Sequence, residues 1–287
     1  MTIMTEMPHM RVPLLRVVDL ETTGNNFSDG GVVEIGWQDL VAAEDGEWRL
    51  SGLPQSRLVH PGKPISAATS AIHHLVDEDV ADAPPWHEVA PPVLRGDPGR
   101  TPVALVAHRA AFEQRWCLPA LSGRARWICT YKCALRLWPD APGHSNQGLR
   151  YWRRPDGLDR ALGLPAHRAG PDAYVTAHHL RDMLATVDVE QLLAWSAEPA
   201  LLVRVPYGAS RGRRWCDLDD AALTRIIEGE SSGNADMLFS ARTERVRRAG
   251  IAPHPSDAPG VPESGVPEPG VPEKPKPAQL SLGLAAG

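Results

Sequence analysis

Residues 14–24 read LLRVVDLETTG and join an apolar run to two closely spaced acids. Leu14 to Val18 form an apolar run with one Arg, which predicts a buried strand. Asp19 and Glu21 follow it, and positions i and i+2 of a strand point to the same side. Two close carboxylates repel each other, and a divalent cation such as magnesium or manganese resolves that conflict. Taken alone, the pattern also fits an exposed turn.

Two further segments place acids and a histidine just after other predicted elements. Residues 108–113 read HRAAFE and put Glu113 at the start of a helix, pointing to the carboxyl edge of the sheet. Residues 167–172 read HRAGPD, with His167 in a loop and Asp172 in the first turn of a helix. A loop histidine near neutral pKa is suited to take a proton from water. Singly, Glu113 also fits a helix-terminus charge and His167 a structural histidine.

The remaining periodicity alternates between strands and helices. The predicted strands are 14–18, 31–41, 48–59, 103–106 and 127–130, with a further short strand at 201–205. The predicted helices are 110–121, a segment running to 138, 171–184, 187–195, 221–227 and 237–248. Mixed strands interleaved with helices predict an α/β fold, with a mixed central sheet flanked by helices.

The three motifs occur in the order D-x-E, H-x-A-x-F-E and H-R-A-x-x-D. This order resembles the DEDDh class of DnaQ-like 3′–5′ exonucleases. The connecting sequence matches the class at 31–36 (GVVEIG), 60–65 and 71–73 (AIH). The resemblance covers about residues 14–185 and implies an RNase H-like fold. We therefore expect an exonuclease domain at residues 11–186.

The resemblance also implies a two-metal site that uses Mg²⁺ or Mn²⁺. Asp19, Glu21 and Asp172 would hold one cation, and Asp19 would also reach the second. Glu113 would hold the second cation through water, and His167 would deprotonate the attacking water. The expected substrate-binding residues are Leu20, Thr22 and Thr23 at the terminal nucleotide, with His108 and Asn146 at the rim.

Two positions depart from the class. Glu113 stands where the usual residue is Asp, so the affinity for the second cation is in question. Arg109 stands where the usual residue is Asn, and it fits a phosphate contact and a solvated helix residue equally well.

Local charge favours a polynucleotide substrate. The net charge of −5 excludes a uniformly basic surface, but residues 109–160 hold ten Lys or Arg against four acids. Aromatic residues are interleaved with these cations, a pattern typical of single-stranded or frayed nucleic acid. Most of these aromatic residues are expected in the core, with one or two at the substrate. We expect DNA 3′ ends as the partner.

The C-terminal third contains two more parts. Residues 187–250 predict a connecting helix and a small module with a basic turn, PYGASRGRR, at 206–214. The segment 251–287 is predicted to be a disordered Pro-rich tail, because it lacks the apolar content to offset its ordering entropy. It ends in QLSLGL, which resembles the peptide that docks on the bacterial sliding clamp. The residues of this possible clamp contact are Gln279, Leu280, Leu282 and Leu284.

The sequence points to the cytoplasm. No apolar run approaches the roughly 18 residues needed to span a bilayer, and the N-terminus lacks a secretory pattern. The four cysteines form no C-x-x-C pair, which favours reduced thiols.

We therefore expect a metal-dependent 3′–5′ exodeoxyribonuclease that acts in DNA repair and releases nucleoside 5′-monophosphates. The C-terminal module resembles the basic turn found in DNA-degrading members of the class, and this resemblance favours a DNA exonuclease over an RNA-trimming relative. Two alternatives are a proofreading subunit of a DNA polymerase and a weakly active DNA-binding protein tethered to the clamp. Only Glu113 favours the second alternative.

Overall fold

The computed structural model describes residues 12–230 and 234–250. The strands are β1 (Leu14–Thr22), β2 (Val32–Ala42), β3 (Trp48–Leu58), β4 (Ala104–Ala107) and β5 (Trp127–Cys129). The first helices are α1 (Ala67–His73), α2 (Asp77–Val80), α3 (Trp86–Arg95), α4 (Glu113–Trp116), α5 (Pro119–Ser122) and α6 (Thr130–Leu137). The later helices are α7 (Asn146–Arg153), α8 (Ala169–Leu184), α9 (Val189–Ala197), α10 (Asp220–Arg225) and α11 (Ala235–Arg248). A 3₁₀ turn at Trp215–Asp217 and a π-helical turn at Ile226–Glu230 complete the module.

The strands form one mixed sheet in the order β3-β2-β1-β4-β5. The first three strands pair antiparallel, whereas β4 and β5 run parallel to β1. This confirms the α/β prediction of a mixed central sheet flanked by helices. Because β1 lies in the middle, its carboxyl end is bordered by elements from both halves of the fold.

The apolar residues of β1 alternate between two cores. Leu15 and Val17 pack on the α8 side, together with Leu180 and Met183. Val18 and Leu20 pack on the opposite side, against α3 and the helix α4. Asp19 therefore continues the α8 side of the strand, and Glu21 follows it by the same alternation.

The amino end of α8 lies directly on β2, at Gly36. A Cβ placed on Gly36 would come within 2.0 Å of the backbone carbonyl carbon of Ala169. The strand can approach the helix this closely only because residue 36 has no side chain. This contact holds the first turn of α8 near the middle of the sheet.

The predicted helix 110–121 is broken in the structure. Arg109 has a left-handed backbone with φ 73°, and α4 begins only at Glu113. The helix ends at Cys117, whose φ and ψ are −87° and 57°, and Pro119 then starts α5. The break has a local cause, because a proline disfavours helical backbone in the residue before it.

The C-terminal module has a core of its own and also packs on the sheet domain. Its core includes Trp215, Leu223 and Met237. The predicted strand 201–205 was wrong: the segment forms only an isolated bridge between Arg204 and Arg214, across the turn that the sequence predicts. Contacts to the sheet domain include a 3.0 Å ion pair from Arg214 to Asp140, and Arg136 over the Phe239 ring.

Within residues 12–230 and 234–250, no helix is both long and apolar enough to cross a membrane. The predicted tail and its clamp-like peptide, Gln279 to Leu284, lie outside the described residues.

Candidate active site

The carboxyl end of β1 opens into a cavity of about 810 Å³. Its wall includes all five predicted catalytic residues, namely Asp19, Glu21, Glu113, His167 and Asp172. Leu20, Thr22, His108 and Asn146 also line it, together with residues of α1 and the amino end of α7. Three motifs that are far apart in sequence therefore meet at one edge of the sheet.

Glu21, His167 and Asp172 form the tightest group in this cavity. Each offers one ligand atom, and the three atoms lie within 4.8 Å of one another. Asp19 lines the same cavity but is not part of this group. The grouping brings a strand, a loop and a helix together as the motif order predicts.

The loop before α8 fixes the relation between His167 and Asp172. His167 has a left-handed φ of 60°, and its backbone N–H donates to Asp172 Oδ2 at 2.7 Å. Gln147 Nε2 donates to the other carboxylate oxygen, Oδ1, at 2.6 Å. Asp172 is therefore oriented by hydrogen bonds, while the exposed His167 ring stays at the mouth of the cavity.

The acids of the cavity hold protons more tightly than ordinary carboxyls. Burial, followed by the nearby Asp172 carboxylate, raises the pKa of Glu21 to about 8. Burial and the carboxylates of Asp172 and Glu21 raise the pKa of Asp19 well above its usual range. Desolvation also raises the pKa of Asp172. Such a cluster is expected to favour a bound cation, because a cation offsets both the desolvation and the mutual repulsion.

Glu113 enters the cavity from the first residue of α4. It is only 3% exposed, and its Oε2 atom has no hydrogen-bond partner within the described part of the chain. Burial raises the pKa of this carboxyl to about 8. An orphaned, buried carboxylate oxygen at this wall suits the outer contact predicted for a second cation.

A partly buried ion pair that the sequence analysis did not identify tethers the histidine loop to β2. Arg168 donates through Nε and Nη2 to the two oxygens of Glu34, both at 2.9 Å. The Ala169 N–H also donates to Glu34 Oε2, at 3.0 Å. Glu34 is 1% exposed, so the pair fixes the backbone on the carboxyl side of His167. A Glu inside the apolar run GVVEIG was the available signal, since such a residue needs a partner.

The predicted substrate-binding residues differ in whether they line the cavity. Leu20 and Thr22 line the cavity, and Thr22 Oγ1 donates to the Gly24 carbonyl. Thr23 is not among the residues of the cavity wall, and its hydroxyl accepts from the Gly31 N–H at 2.9 Å. That bond closes the β1–β2 turn.

His108 and Asn146 line the cavity, and both form hydrogen bonds with other residues of the protein. His108 Nε2 lies 2.8 Å from the His144 carbonyl, and Nδ1 lies 3.0 Å from Thr130 Oγ1. A carbonyl only accepts, so Nε2 carries the proton, and burial lowers the pKa of His108 to about 3. Asn146 Nδ2 donates to the Asp172 carbonyl at 3.1 Å, which ties α7 to α8.

Arg109, the unusual residue of the second motif, lies at the cavity with its guanidinium carbon 4.1 Å from the centre of the Tyr131 ring. The side chain is exposed. This cation–π contact leaves the guanidinium edge open to solvent, where a phosphate can reach it.

Together, the mixed sheet and the acidic cavity at the end of β1 define a DnaQ-like 3′–5′ exonuclease, a phosphodiester hydrolase. Comparison with known proteins narrows the class. Exodeoxyribonuclease 10 of Escherichia coli (strain K12) is 37% identical over 207 residues, which are 71% of this chain and 85% of that protein. The chain therefore belongs to the exodeoxyribonuclease X (exodeoxyribonuclease 10) family.

Two other proteins are similar to this chain. A solved structure of exonuclease X in complex with 5′ overhanging duplex DNA is 35% identical, with a TM-score of 0.52, and the match covers 64% of this chain and 99% of that one. A DNA polymerase III subunit epsilon-like protein of Rhodobacter capsulatus is 37% identical over 99 residues. That match covers 34% of this chain and 13% of that protein. No protein-family model matches the chain.

Proposed function

We propose that this chain is a metal-dependent exodeoxyribonuclease that releases nucleoside 5′-monophosphates from DNA 3′ ends by two-metal-ion hydrolysis. The observation that carries the proposal is the approach of Glu21, His167 and Asp172 to within 4.8 Å beside Asp19 and Glu113. The family supports DNA as the substrate, since the exonuclease X relative is solved with duplex DNA.

The side chains of the cavity fit divalent cations. Asp19, Glu21 and Asp172 offer hard oxygen ligands of the kind that Mg²⁺ and Mn²⁺ prefer, and their pKa values are raised by burial and mutual repulsion. Glu113 supplies a further buried oxygen without a partner. When bound, two such cations would stabilise the attacking and leaving oxygens of an in-line displacement.

The chain's own groups perform the remaining steps. The His167 imidazole, exposed at the mouth of the cavity, accepts the proton of a water whose oxygen forms a bond to the terminal phosphorus. The bond from phosphorus to the 3′ oxygen of the preceding nucleotide breaks, and that oxygen takes a proton from solvent. Gln147 keeps Asp172 oriented, and the pair Glu34–Arg168 fixes the loop that carries His167.

The test is mononucleotide release from single-stranded DNA labelled at either end. With magnesium, we expect nucleoside 5′-monophosphates from the 3′ end, and no release in EDTA. Asp19→Ala removes a carboxylate from the cavity and should lower the rate by at least about 100-fold. Glu78→Gln, an exposed change on α2, is the matched control and should retain the wild-type rate.

Failure would have a distinct signature. A wild-type protein that binds DNA but releases no nucleotide in magnesium or manganese would overturn the proposal and favour the weakly active binding protein.

Further proposals concern the domain boundaries, the C-terminal tail and the cellular role. We propose a domain at 11–186, a connecting helix and module at 187–250, and a tail at 251–287. Gln279, Leu280, Leu282 and Leu284 of that tail would dock on a bacterial sliding clamp, which would raise the local concentration of the exonuclease at DNA. A cytoplasmic role in DNA repair is consistent with such tethering.

A further inference from the structure

We propose that the exposed rings of Tyr151 and Trp152 on α7 form a stacking surface for the DNA strand as it leaves the active-site cavity. This inference rests on the proposed function and extends it from the terminal nucleotide to the nucleotides on its 5′ side. The partner is single-stranded DNA, recognised through its base faces and phosphates.

The helix α7 begins at the active-site cavity. Its N-cap residue Ser145 lines the cavity, as do Asn146 and Gln147 in its first turn. Gln147 donates to Asp172, so this end of the helix touches the reacting centre. A strand that leaves the cavity on this side must therefore pass along α7.

Helical spacing places the two rings on α7 at a short distance from the cavity. Tyr151 is four residues after Gln147, and Trp152 is seven residues after Ser145, so each ring lies on a face of α7 that starts at the cavity. At about 1.5 Å per residue, the rings are displaced by roughly 6 Å and 10 Å along the helix axis. That displacement corresponds to about two to three nucleotides at the 3.4 Å rise of a stacked strand.

Both rings are exposed to solvent. Tyr151 is 59% exposed and Trp152 is 43% exposed, whereas other aromatic residues of the basic stretch, Trp116 and Trp138, are buried in the two cores. The guanidinium carbon of Arg150 lies 5.3 Å from the centre of the Tyr151 ring, and much of each ring stays open to solvent. Aromatic faces left open beside a nucleic-acid site are typical of proteins that bind single strands, because every base can stack on them.

The segment that carries the rings has a net positive charge. Residues 150–160 hold four arginines and two aspartates. Arg150 is buried against backbone carbonyls, and Arg153 pairs with Asp182 at 3.1 Å. Arg154 and Arg160 are exposed, and within residues 12–230 and 234–250 neither forms an ion pair with a carboxylate. Two free guanidinium groups thus lie in the segment of the rings, where phosphates of a stacked strand would run.

The test compares substrates of two lengths. Initial rates would be measured with dT20 and with the dinucleotide dT2, which is too short to reach the rings. For the double variant Tyr151→Ala/Trp152→Ala, we expect KM for dT20 to rise about tenfold or more, with kcat within about twofold. The kcat/KM for dT2 should stay at the wild-type value. Tyr151→Phe/Trp152→Phe keeps both ring faces and should restore KM for dT20.

Leu53→Ala, which removes a more exposed apolar side chain from β3, is the control and should behave as wild type on both substrates. The inference is overturned if the double alanine variant keeps the wild-type KM for dT20, or loses dT2 and dT20 activity in parallel. It is also overturned if photo-cross-linking from bromodeoxyuridine, placed three nucleotides from the 3′ end, labels only peptides outside α7. Failure of the proposed function is different, since the wild-type protein would then degrade neither substrate.

Discussion

Glu113 replaces the aspartate usual at its position, and its environment suggests how the longer side chain is used. It starts α4 in a wall of the cavity, is almost fully buried, and keeps one carboxylate oxygen without a partner. A buried, unpaired oxygen destabilises the fold unless it has a ligand. This arrangement argues for a retained role in cation binding rather than for a decayed site.

Removing the charge of Glu113 should therefore separate stability from activity. For Glu113→Gln, we expect mononucleotide release to fall by about 100-fold, since the proposed contact to a second cation would be lost. In EDTA above pH 8, where the buried carboxyl must ionise, the unfolding temperature should rise, because a desolvated carboxylate is replaced by a neutral amide. Glu113→Asp should stay within about tenfold of wild type. Rates over a magnesium titration, with thermal melts in EDTA, measure both effects, and a Gln variant with the wild-type rate would exclude this role.

At the level of elements, the junction of α8 and β2 decides whether the cluster forms. Gly36 lets the first turn of α8 lie on the strand, and Glu34 binds Arg168 just beyond His167. Two residues of one strand thus determine where the loop that carries His167 and the helix that carries Asp172 lie. The ion pair alone is weak evidence for stability, but it leaves the loop one favourable position.

Gly36→Ala tests this junction. A methyl group at residue 36 would overlap the Ala169 backbone, so α8 must shift, at a cost of about 1–3 kcal/mol. We expect the unfolding temperature to fall by several degrees and kcat to fall more than tenfold, since Asp172 moves with the helix. Gly143→Ala is the matched control, because a Cβ there meets no atom within 4 Å and its φ is not left-handed. Wild-type melts and kcat for both variants would contradict this account.

The sequence carried the order of elements and the three motifs, because strand alternation and acid spacing are local patterns. It did not reveal Glu34–Arg168 as a pair, since the partners are 134 positions apart and only the folded sheet brings them together. The break between α4 and α5 was visible only as Pro119. Gln147 carried no signal at all, because its role depends on where Asp172 lies.

For the whole molecule, the acidic cavity and the buried histidines set opposite pH responses. Burial lowers the pKa of His108 to about 3 and those of His178 and His179 to about 4. Their contribution to stability is complete above the unfolded pKa near 6.5 and is lost as the pH falls towards those values. Glu21 and Glu113, both raised to about 8, behave in the reverse way. Their contribution is complete below the unfolded pKa of about 4.5 and is lost as the pH rises through 8.

Between pH 7 and pH 8 the buried histidines are neutral in the folded state and mostly neutral in the unfolded state, so the carboxyls dominate the change. In EDTA, we expect the unfolding temperature to fall across this interval, because the folded protein must release protons that it holds tightly. Saturating magnesium should flatten that fall, since a bound cation favours the ionised carboxylates, and its stabilisation should be larger at pH 8 than at pH 7. At a hundred times the dissociation constant the gain is about 2.7 kcal/mol, several degrees for a chain of this size. Calorimetry at matched ionic strength separates cation binding in the cavity from general screening of charges by salt. Identical unfolding temperatures in EDTA and in magnesium at both pH values would show that the cavity holds no cation.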